Sequence, residues 1–307
     1  MFQKVLFATD FSEYAKKALD CIAGLPGVRE ILLLHVLEEA RSPRGGGEVV
    51  ETLTETERYL LIEEKHRLES FTKNLKVNTM VTTSSDIPGA IIETAEEQGV
   101  SFIIVGARGK SVVDGILLGS VSMAIIRRSR TNVLVMRHKF IEGLTGKTYD
   151  MSCPMILSRI LCPVDFSLCS DRAISLLSTT KGIGEIILLN VVSRGETDAE
   201  IKTAVEEAQR QIGTIQRDLS AKDIKVRTIV KAGNPGSEIV KIAEEEGVSV
   251  IWISSLGKGW FRELMLGSTA YSVAMNAKQP VIIIRPKKSK AKNQKASENK
   301  VYRYDVS

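Results

Sequence analysis

Short apolar runs alternate with longer amphipathic stretches along the chain, and the whole series occurs twice. Lys4–Thr9, Glu30–Val36, Val77–Thr82, Ser101–Val105 and Asn132–Met136 are rich in Val, Ile and Leu and lack an in-out alternation. That is the pattern of strands covered on both faces. Between them the periodicity predicts helices at about Ser12–Leu25, Thr52–Leu75, Pro88–Gln98 and Leu117–Arg128. Ser12 and Thr52 are candidate N-caps, and Gly99 stands where a helix end favours a left-handed residue. A second series of strands is expected near Arg159, Glu185, Lys225, Ser249 and Pro280. Such alternation predicts an α/β fold, a parallel sheet with right-handed crossovers and helices on both faces. Ligands of these sheets bind beyond the carboxyl ends of the strands, where the winding reverses.

The two series are copies of one domain. FATDFSEYAKKAL from Phe7 aligns with CPVDFSLCSDRAI from Cys162, an offset of 155. AEEQGVSFIIVGARG from Ala95 aligns with AEEEGVSVIWISSLG from Ala243 at an offset of 148, and Gly119-Ser120 keeps that offset with Gly267-Ser268. The loss of seven places extra residues in the first copy, in the Gly- and Pro-bearing loop Arg41–Val50. The expected boundaries are a first domain over 1–137, a linker over 138–158, a second domain over 159–286 and a basic flexible tail over 287–307.

Composition narrows the function classes. The 307 residues are 43% hydrophobic and 26% charged, a globular balance with room for two cores. No apolar run reaches the length of a membrane span, and the start MFQKVLFATD does not read as a signal peptide, so a cytoplasmic protein with no membrane partner is expected. Of the net charge of +5, the stretch Arg285–Ser307 carries +6 and the remainder −1. Charge confined to a tail is not the basic face of a nucleic-acid reader, so no nucleic-acid partner is expected. Cys21, Cys153, Cys162 and Cys169 form no C-x-x-C pair and His35, His66 and His138 are scattered, so neither a metal site nor a disulfide framework is predicted.

Candidate chemistry gathers after the fourth strand of the first copy. Gly106-Ala107-Arg108-Gly109 is followed nine residues later by Gly119-Ser120 at the start of a helix. Glycines let backbone approach a ligand and admit positive φ, and amides at a helix N-terminus attract anions, so this is a phosphate cradle. Asp10 closes the first strand at the same edge. A carboxylate beside phosphate would repel it, so its partner is a ribose hydroxyl, or it serves as N-cap of the next helix. Val36, closing the second strand, lines an adenine slot or is an ordinary buried valine. Arg108, Lys110 and Lys258 neutralise phosphates or are solvated loop charges, and His35 touches the base or satisfies a core hydrogen bond.

The spacing G-x2-G-x9-G-S, the Asp closing the first strand and the fused repeat resemble the universal stress protein family, in the tandem form of its ATP-binding branch. The resemblance implies two Rossmann-like domains of the adenine nucleotide alpha hydrolase type, each a five-stranded parallel sheet of order 3-2-1-4-5. It also implies ATP or AMP as ligand, with or without Mg2+, and pairing through the last strands. On this resemblance Ala8, Asp10, Val36, Gly106, Arg108, Gly109, Gly119, Ser120 and Val121 fall on the first nucleotide site, Asp10 on the ribose and the glycines on phosphate. Pro163, Asp165, Val191, Gly257, Gly267, Ser268 and Thr269 are their second-copy counterparts.

The second copy departs in one place, where Ser254 replaces the first motif glycine. Its side chain is expected to crowd the phosphates or force a disfavoured backbone, at about 1 kcal/mol or more, so the first copy is the better site. Gly143–Thr148 only partly matches a Walker loop, because Ile141 stands where that motif needs glycine. The readings left are a nucleotide-responsive regulatory module, a slow ATP-hydrolysing enzyme, and a structural tandem protein with degenerate sites. Strands Asn132–Met136 and Pro280–Ile284 are apolar edges expected to meet inside one chain as a pseudo-dimer, with a further homodimer and an unidentified protein partner as additional possibilities.

Overall fold

A computed structural model describes residues 2–39, 47–72, 74–107, 118–137, 154–193, 197–258, 266–286 and 303–305. The first copy comprises β1 (Lys4–Ala8), α1 (Glu13–Ala23), β2 (Glu30–Glu38), α2 (Gly47–Phe71), β3 (Lys76–Ser84), α3 (Ile87–Glu97), β4 (Phe102–Gly106), α4 (Ser120–Arg128) and β5 (Asn132–Met136). A 3-10 turn at Pro154–Leu157 leads into the second copy. This has β6 (Arg159–Pro163), α5 (Leu168–Ser178), β7 (Glu185–Val192), α6 (Asp198–Ser220), β8 (Lys225–Ala232), α7 (Pro235–Glu245), β9 (Val250–Ser254), α8 (Ser268–Asn276) and β10 (Val281–Ile284). A last strand, β11, spans Arg303–Asp305. The protein is thus mixed α/β, with helices on both sides of its sheets.

By contacts the chain divides into Phe2–Thr131 with the C-terminal segment, and Asn132–Pro286. In the first unit, neighbouring strands run β11-β3-β2-β1-β4, and β1, β2 and β4 are parallel. In the second, they run β5-β10-β9-β6-β7-β8. The strand cores are continuous apolar blocks: Ile31, Leu33 and Leu34 of β2, and Ile186 to Leu189 of β7, have no exposed surface. Each core is completed by helices with a single apolar stripe. In α1 that stripe is Ala15, Ala18, Leu19 and Ile22, at the spacing that puts residues on one helix face.

The helix starts follow the expected chemistry. Ser12 and Ser167 cap α1 and α5 by accepting the Ala15 and Ser170 amides. Asp86 and Asn234 do the same for α3 and α7, each ahead of a proline in the first turn. Gly99 has φ +60 just past the end of α3, as expected of a left-handed helix terminus. Thr52 is not a cap, because α2 begins at Gly47 and Thr52 lies within it. For the same reason the predicted loop Arg41–Val50 is helical from Gly47; its earlier part lies outside the described residues.

The last strands of the two copies do meet. β10 pairs antiparallel with β5, Ile282 opposite Leu134. The Arg285 amide donates to Asn132 Oδ1 at 2.9 Å, and the Arg137 guanidinium donates to the Ala274 carbonyl.

The outer edges differ in a way the sequence explains. β8 carries Lys225, Arg227 and Lys231, charges that discourage another strand from adding. β3 has no charge beyond Lys76, and β11 covers it, antiparallel, with Tyr304 opposite Val81. The stretch expected to be a flexible tail therefore supplies an edge strand; residues 287–302 lie outside the described part.

Beneath the second sheet, Glu185 is buried among three cations. Arg159 and Arg227 each lie 2.9 Å from it and Lys225 lies at 3.3 Å. Burial pushes its carboxyl up, but hydrogen bonds and charge from Arg227 and Lys225 together outweigh this and hold it below the ordinary range. Cys162 is fully buried in β6, which pushes its thiol up to about 12 and makes it inert.

Candidate functional site

Strand register brings the expected residues to one edge. Ala8 of β1 pairs with Leu34 of β2, so Asp10, two residues on, is level with Val36. Phe7 pairs with Ile104 of β4, which puts Gly106 one residue short of that level. In the second copy Pro163 pairs with Leu189 and Leu161 with Ile251, so Asp165, Val191 and Ser255 share a level. The carboxyl ends of the strands thus gather Ala8, Asp10, Val36 and Gly106, and again Pro163, Asp165, Val191 and Ser254.

The turn from β1 into α1 has the same build in both copies. Phe11 and Phe166 hold φ of 59 and 58, a left-handed backbone that L residues adopt at a cost of about 1 kcal/mol or more. This turn aims the preceding carboxylate back at the following backbone. Asp10 Oδ1 accepts the Ser12 amide at 3.1 Å, and Asp165 Oδ1 accepts the Ser167 amide at 3.2 Å. The N-cap role falls to Ser12 and Ser167, not to the aspartates.

A buried polar link holds each turn in place; the sequence offers this role for His35 but not for Asn190. His35 Nδ1 lies 2.7 Å from the Thr9 carbonyl. A carbonyl only accepts, so the proton sits on Nδ1. Asn190 donates to the Val164 carbonyl at 2.7 Å in the second copy. The 155-residue offset pairs His35 with Asn190, two donors in one register, which was the available signal. His35 therefore satisfies a core hydrogen bond, and its ring packs against Phe11 at 4.6 Å between centroids.

The phosphate-side elements are partly described. Gly119 is the residue before α4, with φ −71 and ψ 159, and its amide donates to the Ala107 carbonyl at 2.7 Å. Gly267 before α8 repeats this with φ −74, ψ 157 and a 2.7 Å bond to Ser255. Ser120 and Ser268 are exposed on the first turns of these helices, and Val121 and Thr269 follow half-buried. Ser122 donates to the Gly106 carbonyl at 2.6 Å, tying α4 to the end of β4.

Gly106 does not use the positive φ that glycine admits, and Gly119 has an ordinary φ as well. Ser254 likewise adopts an ordinary φ, and the strain predicted for it is absent because β9 stays extended to its end. Arg108, Gly109 and Lys110 lie outside the described residues.

The two carboxylates differ in their second oxygen. Asp10 Oδ2 is buried and has no hydrogen-bond partner among the described residues. Asp165 Oδ2 accepts the Lys258 amide at 2.8 Å, while Ser167 also donates its hydroxyl to Oδ1 at 2.6 Å. Among the described residues no group of three His, Cys, Asp or Glu side chains could hold a metal ion. No helix there is long and apolar enough to cross a membrane.

Comparison with known proteins places this geometry in context. The family model described as "Universal stress protein family" matches residues 1–137 and 157–285. Universal stress protein MJ0577 of Methanocaldococcus jannaschii is 31% identical over 160 residues, which cover 44% of this chain and 99% of that protein. A universal stress protein of Mycolicibacterium smegmatis is 24% identical over 223 residues, 70% of this chain and 71% of that one. Among solved structures, a universal stress protein from Archaeoglobus fulgidus matches with a TM-score of 0.64 and 25% identity, covering 92% of this chain and 96% of its own.

Proposed function

This chain belongs to the universal stress protein family, and from that premise we propose that its first copy binds an adenine nucleotide, ATP or AMP, and acts as a nucleotide-responsive regulatory module in the cytoplasm. One observation carries the reading: the buried Asp10 Oδ2, without a partner among the described residues, at the sheet edge where α/β folds take their ligands. A buried charged acceptor left unpaired costs about 1–3 kcal/mol or more, and a ribose hydroxyl donated to Oδ2 would remove that cost. Half-buried Val36 lies level with it, on the strand beside β1, as one wall of an adenine slot.

The chain's own groups divide the remaining work. The amides of the first turn of α4, from Ser120 on, bring the partial positive charge of a helix N-terminus toward phosphate, while the Gly119 amide holds the turn by its bond to Ala107. At Gly106 the missing side chain lets phosphate come close to main chain, and Arg108 and Gly109 complete the cradle by the family motif. Mg2+, when it accompanies ATP, would be held chiefly by phosphate oxygens and water, as that ion prefers. Occupancy then alters a surface that a protein partner reads.

The test is to identify any nucleotide that copurifies and to follow phosphate release with time. A bound nucleotide without release fits the module. Steady release that disappears in Asp10→Ala would instead make the protein a slow ATPase.

A further inference from the structure

The second copy's carboxylate is consumed by the chain itself. Asp165 Oδ1 takes both the amide and the hydroxyl of Ser167, at 3.2 and 2.6 Å. Oδ2 takes the Lys258 amide at 2.8 Å. Gly257 packs so close that a Cβ there would stand 2.5 Å from the same oxygen. The Lys258 ammonium lies 5.5 Å from the centre of the Phe166 ring, on the turn that carries Asp165. Ser254, in place of the motif glycine, donates its buried hydroxyl to the Leu256 carbonyl at 2.9 Å and curls the loop back toward Asp165. Gly106, at the equivalent position, has no hydroxyl to do this.

We propose that residues 254–258 form a latch in which the Lys258 amide occupies the position a ribose hydroxyl takes at Asp10, so the second copy excludes nucleotide and each chain binds one. Ser254 is the residue that sets this difference between the copies, through a hydrogen bond rather than through backbone strain. The stoichiometric half of the proposal rests on the nucleotide reading of the first copy; the latch itself does not.

Two measurements separate them. The first is amide hydrogen exchange at Lys258 in nucleotide-free, full-length protein. A bond to a charged acceptor should slow exchange by about tenfold or more relative to Asp165→Ala, and Ser254→Gly should lose part of that protection. Unchanged protection at Trp252 in the centre of β9 verifies that the variants are folded. The second is calorimetric titration with ATP and with AMP. The expected result is one site per chain in the wild type, one of unchanged affinity in Asp165→Ala, and one weakened about tenfold or more in Asp10→Ala. An unprotected Lys258 amide in the wild type, or two nucleotides per chain, overturns the latch. A protected amide with no nucleotide bound upholds the latch and overturns the nucleotide reading.

Discussion

Replacing Gly119 by valine separates ligand exclusion from folding. At Gly119 the backbone has φ −71 and ψ 159, which any residue adopts. Among the described residues a Cβ built there meets only the Ala107 carbonyl oxygen, at 3.6 Å, an ordinary contact. Gly119 caps α4 without a side-chain bond, so exchanging it for valine should cost the nucleotide-free protein no more than about 1 kcal/mol. The same branched side chain would stand where phosphate must approach the α4 amides. A ligand at about 100 times its dissociation constant contributes roughly 2.7 kcal/mol. That corresponds to a rise of roughly 5–10 °C in melting temperature for a protein of this size class. Thermal denaturation with and without saturating ATP should show that rise in the wild type and its loss in Gly119→Val, with the nucleotide-free melting point little moved. Gly267→Val, at φ −74 and ψ 157 in the second copy, is the matched control and should keep the full rise. A full rise in Gly119→Val would show that this helix start does not hold phosphate.

Other expectations follow from the same geometry. Asp10→Ala should weaken nucleotide binding about tenfold or more in equilibrium titration, since a hydrogen bond to a charged group is worth about 1.5–3 kcal/mol; unchanged affinity would contradict its role. The Glu185 carboxyl is held low in the folded state, so its stabilisation is present above its unfolded value and lost as pH falls through the folded one. Chemical denaturation should accordingly show wild type and Glu185→Gln converging in acid, with the variant less stable at neutral pH by about 1–3 kcal/mol, discounted because its cations are 44–70% exposed. His35→Asn should keep the bond to Thr9, as Asn190 does to Val164, whereas His35→Leu should cost about 1–2 kcal/mol in the same assay. Removing 301–307 uncovers the β3 edge and should raise self-association in sedimentation, while the charged β8 edge gives none when β11 is intact.

Much of this was legible because it depends on local chemistry repeated twice. Continuous Ile-Leu-Val blocks marked β1, β2 and β4 within a residue or two, and serine at the capping position marked α1 and α5. The register that places Asp10 beside Val36 follows from alternating strands and helices, so the candidate edge could be read before any coordinates. What escaped notice depends on tertiary contact. A core hydrogen bond was open to His35 from the sequence, but its partner, and the matching role of Asn190, emerge only when β2 and β7 are laid beside the ends of β1 and β6. Of the two effects expected of Ser254, crowding or backbone strain, the strain is absent, because sequence reveals a missing glycine but not the extended backbone that makes glycine unnecessary. The strand at Arg303–Asp305 was hidden by its basic neighbours, and only the uncharged face of β3 gives it a place.

The central claim is that Asp10 Oδ2 awaits a hydroxyl from an adenine nucleotide. A crystal structure of the full chain grown with ATP or AMP tests it most directly. The account predicts a ribose hydroxyl about 2.7 Å from Asp10 Oδ2, phosphates at the start of α4, and Asp165 still bonded to the Lys258 amide. Nucleotide bound elsewhere, or Asp10 Oδ2 closed off by the chain's own backbone as Asp165 is, would contradict it.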